Sequence, residues 1–100
     1  MLKHIVMWKL KEQAEGNTNI KNALLMKEML ETLKNSIPEI GAIEVGLNIN
    51  SSAVAYDVVL YSEFKDEEAF NIYLDHPEHL KVAEFVGKIY DDRVVVDYMV

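Results

Sequence analysis

The chain contains no cysteine, which excludes disulfides, cysteine-ligated zinc and thiol catalysis together. Positive charge is also scarce: 10 Lys and Arg stand against 17 Asp and Glu, for a net charge of −7. Nucleic acid is therefore not an expected partner, because phosphate binding needs a basic patch that releases counterions. Membranes are not expected partners either, since anionic lipid is disfavoured on the same ground and no apolar run approaches the ~20 residues of a membrane span. Met1-Leu2-Lys3-His4 passes straight into strand-like sequence. It lacks the charged and apolar regions of a signal peptide, so a cytoplasmic location is expected. A Gly-rich phosphate loop, a G-x-S-x-G elbow and a dinucleotide fingerprint are all missing, which leaves nucleotide cofactors and serine hydrolysis unsupported. No internal repeat, low-complexity tract or linker divides the 100 residues, a length that suits one domain over residues 1–100.

What is present is ordinary globular composition, with hydrophobic patterning that changes period along the chain. Residues 2–10 alternate as a strand, with Leu2, His4, Val6, Trp8 and Leu10 on one face and Lys3, Ile5, Met7 and Lys9 on the other. Lys11 to Asn17 reads as a polar loop, and Asn17 or Thr18 supplies the side-chain oxygen that caps a following helix. That helix is expected from Asn19 to Asn35, with Ala23, Met26, Leu30 and Leu33 at helical spacing and Leu25 and Met29 widening the stripe. Such a Met-rich stripe reads as core packing. Ser36-Ile37-Pro38 ends the helix, because the residue before proline is pushed out of the helical region.

A second long strand is expected over Ala42 to Asn48, then turn chemistry at Asn50-Ser51-Ser52, then a third strand from Val54 to about Ser62. In the third, Tyr56, Val58 and Leu60 oppose Ala55, Val59 and Tyr61. Asp66-Glu67-Glu68 loads acids into a helix start, where the macrodipole favours them. This helix breaks at His76-Pro77 and resumes, and Gly87 reads as a further break or cap. Arg93 to Val100 is the last strand, with Val94, Val96 and Tyr98 against Val95 and Met99.

Strand, helix, strand, strand, broken helix, strand is the α+β, ferredoxin-like βαββαβ order: a four-stranded antiparallel sheet with its helices on one face. A sheet with one wet face should alternate apolar and polar residues. Here the first, third and last strands are apolar at the centres of both faces, and the helices can cover only one. An exposed patch of several hundred Å² is rarely tolerated by a soluble monomer. A homodimer packed sheet to sheet is the expected resolution.

Three histidines carry the candidate chemistry. Within Asp75-His76-Pro77-Glu78-His79, His76 suits the N-cap and Pro77 the first helical position. His79 then lies in the first turn, where the positive end of the helix disfavours the imidazolium and leaves the neutral base that proton abstraction needs. Tyr73, six residues before it, offers a phenol to a carbonyl or to the imidazole. His4 sits in the first strand. Each also has a structural reading, as a cap, a satisfied core group or a core aromatic with a wet tip. His76 and His79 do not form the helical i, i+4 pair of a metal site, and no further ligand completes one, so neither a metal nor a cofactor is expected.

The segment Lys3-His4-Ile5-Val6-Met7-Trp8-Lys9-Leu10-Lys11 resembles the opening strand of stress-responsive A/B barrel (Dabb) domains. Tyr56-Asp57-Val58-Val59-Leu60-Tyr61-Ser62-Glu63-Phe64, Tyr73-Leu74-Asp75-His76-Pro77-Glu78-His79-Leu80-Lys81-Val82 and Val95-Val96-Asp97-Tyr98 continue the likeness in the family's order. The resemblance implies a dimeric α+β barrel built from two ferredoxin-like subunits. Some plant members are linked to stress tolerance, and others cyclise linear polyketides by a cofactor-free intramolecular aldol reaction. In those cyclases the second His of H-P-x-H is the base, assisted by a preceding Tyr and the first-strand His. The matching positions are His79, Tyr73 and His4. Remoter relatives of the fold are cofactor-free monooxygenases, and some relatives hold a cation on backbone carbonyls near the equivalent of residues 37–40. The expected function is binding of a small organic molecule between sheet and helices, with acid/base chemistry at His79. The alternative is a non-catalytic stress or assembly protein.

Overall fold

The computed structural model describes Met1–Val100. Strand β1 (Leu2–Leu10) is followed by a short hairpin, β2 (Gln13–Ala14) and β3 (Asn17–Thr18), and then by helix α1 (Asn19–Thr32). A 3₁₀ turn (Leu33–Asn35) leads into β4 (Ile40–Leu47), and β5 (Val58–Phe64), α2 (Glu67–Asp75), α3 (Pro77–Ile89) and β6 (Tyr90–Met99) complete the chain. The main sheet is antiparallel in the order β4-β5-β1-β6, with the helices on one face, which is the ferredoxin-like arrangement. No helix is long and apolar enough to cross a membrane.

The caps form where the side chains predict them. Thr18 accepts the Lys21 amide to start α1, Asp66 accepts the Ala69 amide to start α2, and His76 Nδ1 accepts the Glu78 amide to start α3. Several boundaries differ from the sequence reading: β4 begins at Ile40 rather than Ala42 and β6 at Tyr90 rather than Arg93, and four further differences have a local cause. Residues 11–17 are not an open loop, because Glu15 and Gly16 take positive φ values of 51° and 77° and close a tight hairpin turn between β2 and β3. The last turn of the first helix tightens to 3₁₀ rather than staying α through Asn35. The third long strand begins at Val58, not Val54. Upstream of it, the Asn48 and Asn50 side chains accept the Asn50 and Ser52 amides, and turn chemistry holds the segment out of the sheet. Gly87 does not break α3, which runs on to Ile89.

Register decides the faces. Leu2, His4, Val6, Trp8 and Leu10 are buried beneath the helices, packed with Val58, Leu60, Phe64, Met26, Leu30, Val82 and Val86. The opposite face carries Ile5 and Met7, with Tyr61 and Val59 beside them on β5 and Val96 and Val94 beside them on β6. Nothing in the chain covers this second face, and Val94 and Val96 are 42% and 59% exposed. Strand β6 is open on the helix side as well, since Val95 and Met99 are also exposed.

Candidate functional site

The His76-Pro77 break folds the helix layer back on itself. His79, at the start of α3, reaches to the last turn of α2, where its Nδ1 lies 3.1 Å from the Leu74 carbonyl oxygen. A carbonyl can only accept, so Nδ1 carries the proton and Nε2 is left with a free lone pair. His79 is held below the usual histidine range, first by burial and then by the positive potential of His4, Arg93 and His76, while the Leu74 bond opposes the shift. The direction is the one read from the sequence. The leading cause, however, is burial rather than helix position.

Tyr73 is completely buried. Its ring centroid lies 4.3 Å from that of His79 and 4.9 Å from that of Phe64. The hydroxyl has no hydrogen-bond partner in the protein, so it does not hold the imidazole. Burial pushes it up to about 12, and it stays a phenol, able to donate, across the working pH range. His4 also reaches this cluster, its ring 6.4 Å from Tyr73 and 4.9 Å from Phe70. The register places His4 opposite Asp97 on β6, and His4 Nδ1 lies 2.5 Å from the Asp97 carboxylate. Asp97 thus orients His4 across the strand pair, much as an outer carboxylate fixes an imidazole elsewhere.

All three side chains line one cavity of ≈ 240 Å³ between sheet and helices, together with Trp8, Gly87 and Arg93 among others. That is below the roughly 300–1,000 Å³ of a drug-sized pocket. Trp8 Nε1 is a second buried donor without a partner. His76 is not among the lining residues, and its cap bond accounts for it. The turn after α1 spends carbonyls internally: Ile37 O accepts the Ile40 amide, and Leu33 O accepts the Ser36 and Ile37 amides.

Sequence reasoning missed Asp97, Arg93 and the Trp8 indole as site groups. A signal was present in Arg93-Val94-Val95-Val96-Asp97, where the two charges share one face of an otherwise apolar strand. Only the β1–β6 register, which sets Arg93 opposite Trp8 and Asp97 opposite His4, tells which face that is.

Fold and cavity together define a ferredoxin-like α+β protein with a histidine-bearing, mostly apolar chamber under its helix layer. The chain belongs to the stress responsive A/B barrel domain (Dabb) family, whose model matches residues 2–100. It is 30% identical over 107 residues to a stress-response A/B barrel domain-containing protein of Arabidopsis thaliana, a match covering 99% of this chain but 36% of that longer protein. Among solved structures, a dimeric ferredoxin-like protein of unknown function from Bacteroides fragilis is 34% identical. It superposes with a TM-score of 0.80 over 97% of this chain and 93% of that one. A hydroxynitrile lyase from Passiflora edulis gives a TM-score of 0.82 at 22% identity, covering 99% of this chain and 92% of its own, a likeness of fold alone.

Proposed function

We propose that this protein binds a small carbonyl compound in the cavity and removes a proton from the carbon next to the carbonyl. The observation that carries this reading is the tautomer of His79. Its Nδ1 proton is committed to Leu74 O, which leaves Nε2 bare, and His79 lines one cavity with Tyr73, whose buried hydroxyl has no protein partner. A base and an oxygen donor are the two groups enolisation requires. His79 Nε2 takes the proton, the C–H pair becomes a C=C bond, and the carbonyl π pair moves onto an oxygen that Tyr73 stabilises by donating its hydroxyl. His4, oriented by Asp97, supports the pair as a second imidazole.

Two copies face each other through the uncovered sheet face in this account. What supports the second copy is the apolar surface of Ile5, Met7, Val59, Val94 and Val96 on the side opposite the helices, where Met7, Val94 and Val96 are exposed and Ile5 and Val59 half-buried. The dimeric state of the Bacteroides fragilis protein points the same way. The pairing closes the sheets into a barrel and leaves each helix-side cavity to its own subunit.

The test is hydrogen–deuterium exchange, followed by NMR, at the α-carbons of a panel of small ketones and 2-oxo acids in D₂O. Wild type should accelerate exchange on at least one compound, and His79→Ala should abolish the acceleration. Equal rates for wild type and His79→Ala across the panel would overturn the proposal.

A further inference from the structure

Arg93 is the chain's single arginine. It lines the cavity from β6, on the strand position opposite Trp8. Its positive charge acts on both working groups, lowering the pKa of Tyr73 and of His79. Yet the guanidinium takes part in none of the molecule's ion pairs. The acids nearest to it along the strand are committed elsewhere. The Asp92 carboxylate accepts the Tyr56 hydroxyl and the Arg93 backbone amide, and Asp97 holds His4.

The cavity is therefore rich in unanswered donors. The Trp8 indole N–H and the Tyr73 hydroxyl lack a protein acceptor and are buried where leaving a donor unpaired is costly, and beside them stands Arg93, solvent-exposed and outside every ion pair. A ligand that matches them must bring acceptors at more than one place. A guanidinium offers two parallel N–H groups, a geometry that fits a carboxylate and is wasted on a single ketone oxygen. With a net charge of −7 the protein as a whole repels anions, so a lone arginine on the solvent-exposed edge of the chamber is a local exception to its field.

We infer that the ligand of this cavity is a compact carboxylate bearing a second carbonyl, a small oxo acid, with its carboxylate on Arg93 and its carbonyl oxygen at Tyr73 and Trp8. The inference rests on the site reading above and adds the substrate class to it. At ≈ 240 Å³ the chamber favours a compact acid.

The test compares 2-oxobutanoate with its uncharged methyl ester, titrated by NMR into wild type, Arg93→Gln and Arg93→Lys. Wild type should bind the acid about tenfold or more tightly than the ester, as a charge-assisted pair requires. Arg93→Gln should remove that preference by weakening the acid alone, and Arg93→Lys should restore part of it. Equal binding of acid and ester by wild type overturns the inference, and if His79-dependent exchange persists the base reading survives it. Acid-selective binding without His79-dependent exchange has the opposite meaning: the substrate class stands and the base fails. An Arg93→Gln protein that keeps the acid preference but self-associates more weakly assigns Arg93 to the contact between copies and overturns the inference too.

Discussion

Replacing Tyr73 with phenylalanine should not destabilise the protein, although Tyr73 lies at the centre of the core. The ring packs on Phe64, Phe70, His4 and His79, and phenylalanine keeps all of those contacts. What leaves is a hydroxyl that is buried and has no partner. Burying such a group costs about 1–3 kcal/mol, less to the extent that cavity water reaches it, whereas a satisfied hydroxyl contributes about 0.5–1.5 kcal/mol. Tyr73→Phe should therefore be neutral to stabilising, by up to about 2 kcal/mol. For a domain of this size each kcal/mol moves Tm by about 4–8 °C. The measurement is urea and thermal unfolding of both proteins at one matched concentration, because self-association makes Tm depend on concentration. The same substitution removes the donor to the carbonyl and should slow α-proton exchange by about 10²–10³-fold, as loss of an oxyanion donor does. A gain in stability with a loss of activity marks a group held in place for function. A loss of about 1 kcal/mol on Tyr73→Phe would refute the reasoning, since it would mean the hydroxyl is answered within the fold.

Exchange activity should fall as pH drops through the lowered pKa of His79, below its ordinary 6.5, in the pH profile of kcat/KM. Because the folded value is depressed, the unfolded chain takes up the proton first. The corresponding stability is present above 6.5 and lost as pH falls through the folded value, and His79→Ala should flatten that part of a stability–pH curve. Val96→Glu places a carboxylate in the middle of the uncovered sheet face, and it should weaken self-association about a hundredfold or more, read as a monomeric mass in light scattering. An unchanged dimer would place the interface elsewhere. Gly87 lines the cavity from within α3, and a Cβ there would meet nothing within 4 Å. Gly87→Ala should stabilise the helix by about 0.5–1 kcal/mol in urea unfolding. Gly87→Leu should occupy the chamber and weaken binding of 2-oxobutanoate in the same NMR titration, and unaltered binding would place the ligand outside it.

The parts legible in the sequence were those governed by local rules. Alternation in residues 2–10 assigned His4 and Trp8 to one face and Ile5 and Met7 to the other, as found. His76-Pro77 marked a helix start through proline's fixed φ and the histidine's cap, and both are present. The errors at 54–57 and at Gly87 came from reading composition where context wins. Val54 and Tyr56 have strand propensity, but the asparagine turns before them claim the backbone first. A lone glycine costs a helix about 1 kcal/mol, which packing of its neighbours Val86 and Ile89 outweighs. The site itself was half legible. His79 and Tyr73 are close along the chain, whereas His4–Asp97 and Trp8–Arg93 are set by the register of two strands at opposite ends of it. Periodicity gives a face for each strand but not which residues stand side by side.

The account turns on one imidazole. Its central claim is that His79 is neutral at pH 7, with the proton on Nδ1 and Nε2 bare on a ring that lines the chamber. Nitrogen-15 chemical shifts of the histidine rings, followed as a function of pH, measure this without any ligand. The account predicts that one ring stays in the Nδ1–H tautomer at neutral pH, protonates only below the ordinary histidine range, and vanishes from the spectrum of His79→Ala. An Nε2–H tautomer for His79, or an imidazolium at pH 7, would contradict it.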